Sequence, residues 1–548
     1  MKSECTVALA LVRLLKSYKV DVIFSLSGNQ IMPMYDGCFE EELEIVHCRH
    51  EGAAVFMADG YSQISNRPGV AMVTAGAGFL NSLGALFAAK LNHSNLILIT
   101  GDSSLSQDGR GAFQELDQCS VSSPLTSLSL RPKSPEQLFS AFHRAFQGFR
   151  NGVTGPVHFA LAADLLEKKV TDSDSYFCQA PLPEPNYSEQ SNLCATLFED
   201  QVYPRLRSSK APIIVLGPFF NEARYAGITS LIKVSLGVEC FFMESPRGVS
   251  DPHWPGLSEK LAAADFVLSI GKPIDFSVKF GRVRSNEESS PEWFLVDTDE
   301  LALERSHTNL KGQTVYTLRM SPKKFLDGLL ERVRSKTRLT KISDGRNVAS
   351  VGDGRNETDS LGGPCGAHSD YFGVLQSSID GLGGKTTLVI DGGEFGQWAQ
   401  ASLRASRRVI NGISGTIGGG VSYGIGAFKA NPSSHVIVLM GDGTVGFHLA
   451  EFETAAREGI RIVTIIGNDR RWNAEFQIQI RKYGKERTFA CELSDARYAE
   501  ACRALGGFGA QVTTPKEFHS ALTQALAFDG PSCIDMAIEP IPFGTSSK

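Results

Sequence analysis

Short runs rich in β-forming residues alternate with longer Ala-rich stretches over most of the chain, and this alternation predicts strands and helices in turn. The first part of the chain contains four strand-like runs: Val20–Leu26, Glu44–Arg49, Gly69–Thr74 and Asn95–Thr100. Helical patterns lie between them, notably Glu51–Ile64 and Phe79–Leu91. Mainly apolar strands separated by helices are typical of a parallel sheet covered on both faces. We therefore expect an α/β domain here.

The same alternation recurs in two later parts of the chain. The predicted central strands are Ala211–Gly217, Val238–Phe242, Asp265–Gly271 and Trp293–Asp297. The predicted C-terminal strands are Thr386–Asp391, His435–Met440 and Arg461–Gly467. Polar stretches rich in Pro, Gly, Ser and Asp separate these parts and have the composition of linkers. The prediction is three α/β domains, each a parallel sheet flanked by helices, at residues 1–170, 193–334 and 370–548, with linkers at 171–192 and 335–369.

Composition narrows the class of protein. The 548 residues are 42% hydrophobic and 21% charged, as in ordinary globular proteins. The formal charge is 54 − 60 = −6, which argues against a general nucleic-acid or membrane-surface binder. The 11 cysteines form no CxxC pair and no zinc-like spacing. The apolar runs are too short to span a bilayer and no secretory signal is visible, so we expect a cytoplasmic location.

Polar residues follow two predicted strands of the C-terminal domain. The motif Gly441-Asp442-Gly443-Thr444 directly follows one strand, and Asn468-Asp469 directly follows the next, with a helix predicted over Phe447–Glu458. Both motifs therefore lie at the carboxyl ends of adjacent parallel strands, where open α/β sheets bind ligands. The glycines let a phosphate approach the backbone, and the two aspartates offer the hard oxygen ligands that Mg²⁺ prefers. Two ordinary turns that close strands are the alternative interpretation.

These segments resemble the cofactor motif of thiamine-diphosphate-dependent enzymes, which begins with GDG and ends with a pair of asparagines. The resemblance implies that the cofactor is bound by Gly441, Asp442, Gly443, Thr444, Asn468 and Asp469. It also implies that Asp442 and Asp469 hold Mg²⁺ and that Arg471 supplies a backbone carbonyl ligand. Asp469 stands where the family usually has asparagine, and it adds negative charge beside the diphosphate.

The stretch from Arg49 to Tyr61 resembles the RHE-x-A-A-x-x-M-A-D-G-Y segment of the acetolactate synthase-like branch of that family. The resemblance implies that Glu51 is catalytic. In the family this glutamate bonds to N1′ of the cofactor's pyrimidine, so that the ring's imino group removes the proton from the thiazolium C2. The alternative is that Glu51 only complements the positive end of a helix.

Three further segments resemble family motifs. Gly76, Gly78 and Asn81 match the G-P-G-x-x-N turn of the family. In the family this turn lies near the cofactor, so the resemblance implies that these three residues do too. The F-Q-E segment is matched at Gln114, whose family counterpart faces the reacting centre, and the G-T-M-G segment is matched by Gly415, Thr416, Ile417 and Gly418. In the family, the apolar side chain of the G-T-M-G segment holds the cofactor in a V-shaped conformation. The resemblance implies that Ile417 has this role. Alternatively, Ile417 is a core residue and Gln114 an ordinary loop amide.

The resemblance covers nearly the whole chain and implies a pyrimidine-binding, a central and a diphosphate-binding domain in that order. It implies a lyase or a transferase of the carboligase type. Either enzyme would act on 2-oxo acids or 2-hydroxyacyl compounds. The alternatives are a simple 2-oxo acid decarboxylase and a non-catalytic cofactor-binding subunit. The family forms homodimers and homotetramers with the cofactor between subunits. Some members keep FAD in the central domain. The colour of the purified protein would show whether this protein binds FAD.

Overall fold

The computed structural model of the protein describes residues 4–171, 196–283, 290–332 and 368–543. These residues form three parallel sheets flanked by helices, so the predicted α/β class is confirmed. The predicted linkers 171–192 and 335–369 fall almost wholly outside the described residues. By contacts the chain divides into two compact units: the first contains the N-terminal and C-terminal sheets, and the second contains the central sheet.

The N-terminal sheet has six parallel strands in the order β3-β2-β4-β5-β7-β6. These strands are β2 (Val22–Ser25), β3 (Glu44–His47), β4 (Gly69–Val73), β5 (Leu96–Asp102), β6 (Leu128–Leu130) and β7 (Pro156–Ala162). A separate antiparallel pair joins β1 (Glu4–Thr6) to β8 (Lys169–Thr171). The α-helices are Val7–Ser17, Met32–Glu40, Glu51–Ser65, Ala77–Leu91, Gln118–Ser122, Pro135–Arg150 and Ala163–Leu166. The 3-10 turns are Asn29–Ile31, Leu105–Gln107 and Ser123–Leu125.

The central sheet has five parallel strands in the order β10-β9-β11-β12-β13. These strands are β9 (Pro212–Leu216), β10 (Glu239–Phe242), β11 (Phe266–Ile270), β12 (Glu292–Asp297) and β13 (Val315–Arg319). The helices are Tyr203–Ser208, Ile228–Leu236, Leu257–Ala263, Glu300–Asn309 and 322–332. A π-helical turn covers Phe198–Val202, and 3-10 turns cover Gly248–Ser250 and Phe276–Gly281. Apolar clusters cover both faces of this sheet, as parallel sheets require.

The C-terminal sheet has six parallel strands in the order β15-β14-β16-β17-β19-β18. These strands are β14 (Thr386–Ile390), β15 (Arg407–Ile410), β16 (His435–Gly441), β17 (Ile462–Asn468), β18 (Phe508–Val512) and β19 (Ser532–Ala537). The α-helices are Ser369–Gly381, Gly393–Ser402, Gly420–Ala430, Asp442–Val445, Glu451–Arg457, Asn473–Tyr483, Tyr498–Ala504 and Pro515–Ala527. A 3-10 turn covers Lys485–Arg487.

The two six-stranded sheets share one topology. Numbered by position in the chain, the strands of each sheet run in the order 2-1-3-4-6-5. In each, the direction of winding reverses between the first and third strands, which are β2 and β4 in one sheet and β14 and β16 in the other. A ligand crevice forms at such a reversal, outside the carboxyl ends of the strands.

The helix that begins at Glu51 packs against the helix Gly420–Ala430 within the first unit. Small residues permit this close approach, because a Cβ at Gly60 would lie 2.7 Å from the Tyr423 carbonyl oxygen and one at Gly426 would lie 2.0 Å from that of Met57. The Tyr423 hydroxyl also donates a 2.9 Å hydrogen bond to Asp59, and both side chains are buried. The first and third domains are therefore joined by a buried polar contact between two closely packed helices.

The predicted helix Phe447–Glu458 is wrong in its first part. The structure has a short helix at Asp442–Val445, and the next helix begins only at Glu451. Tertiary contacts hold the intervening turn out of a helix, because Phe447 packs where a Cβ on Gly418 would lie and His448 bonds to the Gly418 carbonyl oxygen at 2.8 Å.

No helix in the described ranges is long and apolar enough to cross a membrane.

Candidate active site

Asp442 and Asp469 lie side by side at the carboxyl edge of the C-terminal sheet. Strand β16 ends at Gly441 and β17 ends at Asn468, and the two strands pair in parallel with Gly441 opposite Gly467. Each aspartate is the first residue after its strand. The adjacency predicted from the sequence is therefore present.

These two carboxylates are in an unfavourable electrostatic state. Asp442 is 2% exposed, and burial raises its pKa to about 6 even though backbone N–H groups bond to it. Burial and then the charge of Asp442 raise the pKa of Asp469 to about 7. The Oδ2 atom of Asp442 is buried and has no hydrogen-bond partner among the described residues. A divalent cation would satisfy this oxygen and relieve the repulsion between the two carboxylates.

The donor set fits a magnesium ion that also binds a phosphate. Within the described residues, no group of three or more His, Cys, Asp or Glu side chains could hold a metal. The expected site needs only two carboxylates, since a backbone carbonyl and a phosphate supply the remaining protein and cofactor ligands. The Arg471 side chain does not take the place of the metal, because its guanidinium lies over the Phe476 ring, 4.6 Å from the ring centroid.

The neighbouring cofactor candidates are positioned by local contacts. Gly443 lies beneath Trp472, and a Cβ there would lie 2.7 Å from the indole ring. The Thr444 hydroxyl donates to the Gly441 carbonyl oxygen at 3.0 Å. The Asn468 amide donates to Asp535 at 3.0 Å, and its oxygen accepts from the Arg470 N–H at 3.3 Å, so this side chain braces the turn that carries Asp469.

The loop with Gly415, Thr416 and Ile417 is held by Asp391, a residue that the motif analysis missed. Asp391 ends the adjacent predicted strand and is buried, and its carboxylate accepts from the backbone N–H groups of Gly418 at 3.0 Å and Gly420 at 3.0 Å. Burial raises the pKa of Asp391 to about 6. An acidic residue at the end of a strand, before two glycines, is the signal that would have revealed it.

Ile417 lies against the same edge of the sheet. A Cβ on Gly392 would lie 2.7 Å from Ile417 Cγ2, so the side chain needs the glycine beside it. Gly415 and Gly418 have φ values of +66° and +88°, which L-residues rarely adopt. The Thr416 N–H bonds to Ser414 Oγ at 3.1 Å. Ile417 is half-buried at this position.

Glu51 lies at the carboxyl edge of the N-terminal sheet as the first residue of its helix. The preceding His50 caps this helix by accepting a 3.0 Å hydrogen bond from the Gly52 N–H. Asn81 Nδ2 donates to Glu51 Oε2 at 3.1 Å, and a Cβ on Gly78 would lie 3.3 Å from Glu51 Oε1. The structure thus brings Glu51, Gly78 and Asn81 together.

Gly76 and Gln114 belong to the same group. Gly76 has φ +57°, and a Cβ on it would lie 3.0 Å from Gln114 Cβ. Gln114 itself has φ +60°, an uncommon conformation for a residue with a side chain. Glu115 stabilises this loop by accepting from the N–H groups of Gly109, Gly111 and Ala112, and these bonds lower its pKa.

Glu451 joins the Glu51 segment to the third domain of the same chain. Its Oε1 accepts from the Arg49 N–H at 3.0 Å and its Oε2 accepts from the Thr454 hydroxyl at 2.7 Å. Arg457 of the same helix donates to the His47 carbonyl oxygen. The residues that follow the GDG motif therefore position the strand end that leads into Glu51.

Two family models match the chain on either side of its central domain. Residues 5–121 match the N-terminal TPP binding domain of thiamine pyrophosphate enzymes, and residues 391–536 match the C-terminal TPP binding domain. Asp391, Asp442, Glu51 and Gln114 all lie inside these matches. The chain belongs to the thiamine-diphosphate-dependent enzymes.

Curated relatives specify the branch. The chain is 27% identical over 545 residues to the acetolactate synthase large subunit IlvG of Mycobacterium tuberculosis, covering 96% of this chain and 95% of the relative. It is 27% identical over 548 residues to 2-hydroxyacyl-CoA lyase 2 of Homo sapiens, covering 92% and 84%. The protein is thus a thiamine-diphosphate-dependent enzyme of the branch that contains acetolactate synthases and 2-hydroxyacyl-CoA lyases.

A solved structure shares the fold. The thiamine diphosphate-dependent 4-hydroxybenzoylformate decarboxylase of Rhodococcus jostii RHA1 superposes with a TM-score of 0.73 at 21% identity, covering 98% of this chain and 99% of that one. The three-sheet architecture is therefore that of a known thiamine diphosphate-dependent protein.

The buried Glu451 carboxyl predicts a pH-dependent stability. Burial raises its pKa from 4.5 to about 7, so the folded state binds its proton more tightly than the unfolded state. The stability that this proton contributes is complete below pH 4.5 and is lost as the pH rises through about 7. In Glu451→Gln this dependence is absent, so the melting temperature of the variant relative to wild type should rise between pH 5 and pH 8.

Glu500→Gln is the control, because Glu500 has a half-exposed side chain on the helix Tyr498–Ala504. Its melting temperature should follow that of wild type at every pH in differential scanning calorimetry. A constant difference between Glu451→Gln and wild type across this range would contradict the assignment of Glu451.

Proposed function

We propose that this protein is a thiamine diphosphate- and Mg²⁺-dependent lyase or carboligase that makes or breaks a carbon–carbon bond in 2-oxo acids or 2-hydroxyacyl compounds. The observation that carries the proposal is the unpartnered, buried Oδ2 of Asp442 beside Asp469, at the ligand edge of a sheet that the TPP-binding family model matches. The curated relatives named acetolactate synthase and 2-hydroxyacyl-CoA lyase support the substrate class.

Asp442, Asp469 and the backbone carbonyl of Arg471 would hold the metal. Thiamine diphosphate would place its diphosphate on the Gly441–Thr444 turn, where the short helix Asp442–Val445 starts. A magnesium ion held there would neutralise both the carboxylates and the phosphates, so two buried acids could be tolerated at this edge.

Glu51 would hold a proton at N1′ of the cofactor's pyrimidine. Its Oε2 is occupied by Asn81, whereas its Oε1 accepts no hydrogen bond from the described part of the chain, which leaves that oxygen for the pyrimidine. When bound, thiamine diphosphate supplies a thiazolium ring that adds to a carbonyl and accepts electrons as the adjacent bond breaks. Ile417 would orient the cofactor, and Gln114 would contact the substrate.

We also propose that the enzyme works as a homodimer or a homotetramer, with each cofactor held by the first domain of one copy and the third domain of another. Glu51 and Asp442 lie on separate sheets, so a site that needs both residues can take one from each copy.

Replacing the two aspartates should have opposite consequences. Asp442→Asn removes the buried charged ligand and should weaken Mg²⁺-dependent binding of thiamine diphosphate by at least about 10-fold, the lower bound for residues that merely support a metal ligand. Asp469→Asn keeps an oxygen ligand, removes the repulsion with Asp442 and should retain binding and activity. Titrations of tryptophan fluorescence with thiamine diphosphate, with Mg²⁺ and after EDTA treatment, measure both effects.

Loss of Mg²⁺ binding in Asp469→Asn would contradict the proposed role of Asp469. Unaltered cofactor affinity in Asp442→Asn would contradict the whole metal site.

A substrate panel tests the activity itself. Holoenzyme is supplied with pyruvate, benzoylformate or a 2-hydroxyacyl-CoA thioester, each with and without an acceptor aldehyde, and products are identified by mass spectrometry. A lyase or carboligase should yield a cleaved thioester or a coupled hydroxyketone. Release of aldehyde alone, regardless of acceptor, would instead support the simple decarboxylase.

Glu51→Gln should reduce kcat by about 10²-fold or more, because it removes the carboxylate that would hold the proton at N1′ of the pyrimidine. Cofactor affinity should change little, since the metal site is intact. Near-normal turnover in this variant would contradict the mechanism.

The same variant tests the shared site. Inactive Glu51→Gln and inactive Asp442→Asn chains, co-expressed with different tags and purified through both, should regain activity, because one of the two shared sites in such a dimer then contains neither substitution. Failure to regain activity in verified mixed dimers would contradict sharing between copies.

A further inference from the structure

Three side chains form a hydrogen-bonded chain at the crevice of the N-terminal sheet. The Thr74 hydroxyl donates to Gln30 Oε1 at 2.5 Å, and Gln30 Nε2 donates to Gln114 Oε1 at 2.9 Å. Gln30 follows β2 and Thr74 follows β4, so the chain spans the two strands between which the winding reverses. None of the motifs that mark the cofactor site includes Gln30 or Thr74.

We propose that Gln30 is a positioning residue that turns the Gln114 amide so that its Nε2 group faces the substrate. The inference rests on the proposed function, in which Gln114 contacts the reacting carbonyl. Because Gln30 Nε2 donates to Gln114 Oε1, the Gln114 amide is held in one of its two orientations, with its donor Nε2 on the other side of the amide. In the described residues that nitrogen makes no hydrogen bond, so it is available to a substrate oxygen.

The orientation of Gln30 is fixed by packing. Its side chain is 6% exposed. A Cβ on Gly101 would lie 2.6 Å from Gln30 Cβ, and a Cβ on Gly28 would lie 2.5 Å from Thr74 Oγ1, so two glycines are needed to bring the donor and the acceptor together. The start of the Gln30 side chain is therefore held by close packing, and its amide is held by the bonds to Thr74 and Gln114.

The backbone of Gln114 is also held, by its φ of +60° and by the bonds from the 109–112 segment to Glu115. When the side chain extends to Gln30, the choice that remains is which end of its terminal amide faces Gln30. Rotation by half a turn would exchange a donor for an acceptor at almost the same point in space. Gln30 is the described side chain that bonds to this amide and so selects between the two orientations.

A fixed N–H donor suits the proposed chemistry. When the substrate's carbonyl carbon is attacked, its oxygen gains negative charge, and an N–H group already aimed at it needs no reorganisation. An amide oxygen at that position would repel the developing charge. Removing one such donor typically lowers kcat by about 10²- to 10³-fold.

The test is Gln30→Glu, which keeps the size of the side chain and replaces its donor with an acceptor. The carboxylate would accept from Thr74 and also from Gln114 Nε2, so the Gln114 amide would present its oxygen to the substrate. We expect kcat on the best substrate of the panel to fall by about 10²-fold, with a smaller change in KM.

Gln30→Met separates orientation from added charge, because it has similar length and makes neither hydrogen bond. Its kcat should fall less than that of Gln30→Glu but clearly below wild type, since the amide can then adopt both orientations. In a Gln114→Ala background, both substitutions should have no further effect on kcat, because the group that Gln30 orients is absent.

Two measurements show that the variants keep the rest of the site. Their affinity for thiamine diphosphate with Mg²⁺ and the exchange of the cofactor's C2 proton with deuterium, followed by NMR after acid quench, should match wild type. Both depend on Glu51 and the metal site rather than on Gln114.

Wild-type kcat in Gln30→Met, or an equal loss in the Gln114→Ala background, would overturn this inference and leave the proposed function standing. Absence of turnover by the wild type on every member of the panel would overturn the proposed function and this inference together.

Discussion

The crevice between the first and third strands of a doubly wound sheet is the constraint on which the candidate site depends. Parallel strands end at one edge, and the reversal of winding leaves a gap there that no connecting helix covers. This chain builds such a gap twice with the same strand order. Gln30 and Thr74 line one gap, while Asp391 and Asp442 line the other. Two similar frameworks therefore support different chemistry, because different residues follow the same strands.

Buried carboxylates recur at the C-terminal gap, and each has a distinct means of stabilisation. Asp391 is surrounded by backbone N–H groups of the glycine loop and thereby holds Ile417 in place. Glu451 accepts from the Arg49 N–H and so couples the third domain to the segment that leads into Glu51. Asp442 keeps an oxygen without any partner in the described structure, and it lies directly beside Asp469 at the ends of β16 and β17. The unpartnered oxygen and the neighbouring carboxylate together distinguish Asp442 from Asp391 and Glu451.

Close helix packing carries this arrangement into the first domain. The contact between the Glu51 helix and Gly420–Ala430 requires Gly60 and Gly426, and the Tyr423–Asp59 bond lies within it. A movement of either helix would displace Glu51 or the loop with Ile417. The contacts that hold the two domains together therefore also hold these candidate site residues in place.

The sequence alone determined the α/β class, many of the apolar strands and the motifs around Glu51 and Asp442, because strand burial and glycine turns leave local patterns. The buried strands Pro156–Ala162 and Ser532–Ala537 were not predicted. It could not determine that 446–450 stays out of a helix, since contacts of Phe447 and His448 with Gly418 override the local preference. Short strands such as Leu128–Leu130 were missed for the same reason, as their neighbours rather than their composition make them strands. Only the tertiary structure joined Gln30 to Gln114 and Asp391 to the glycine loop, because a hydrogen bond between distant residues leaves no spacing in the chain by which it can be found.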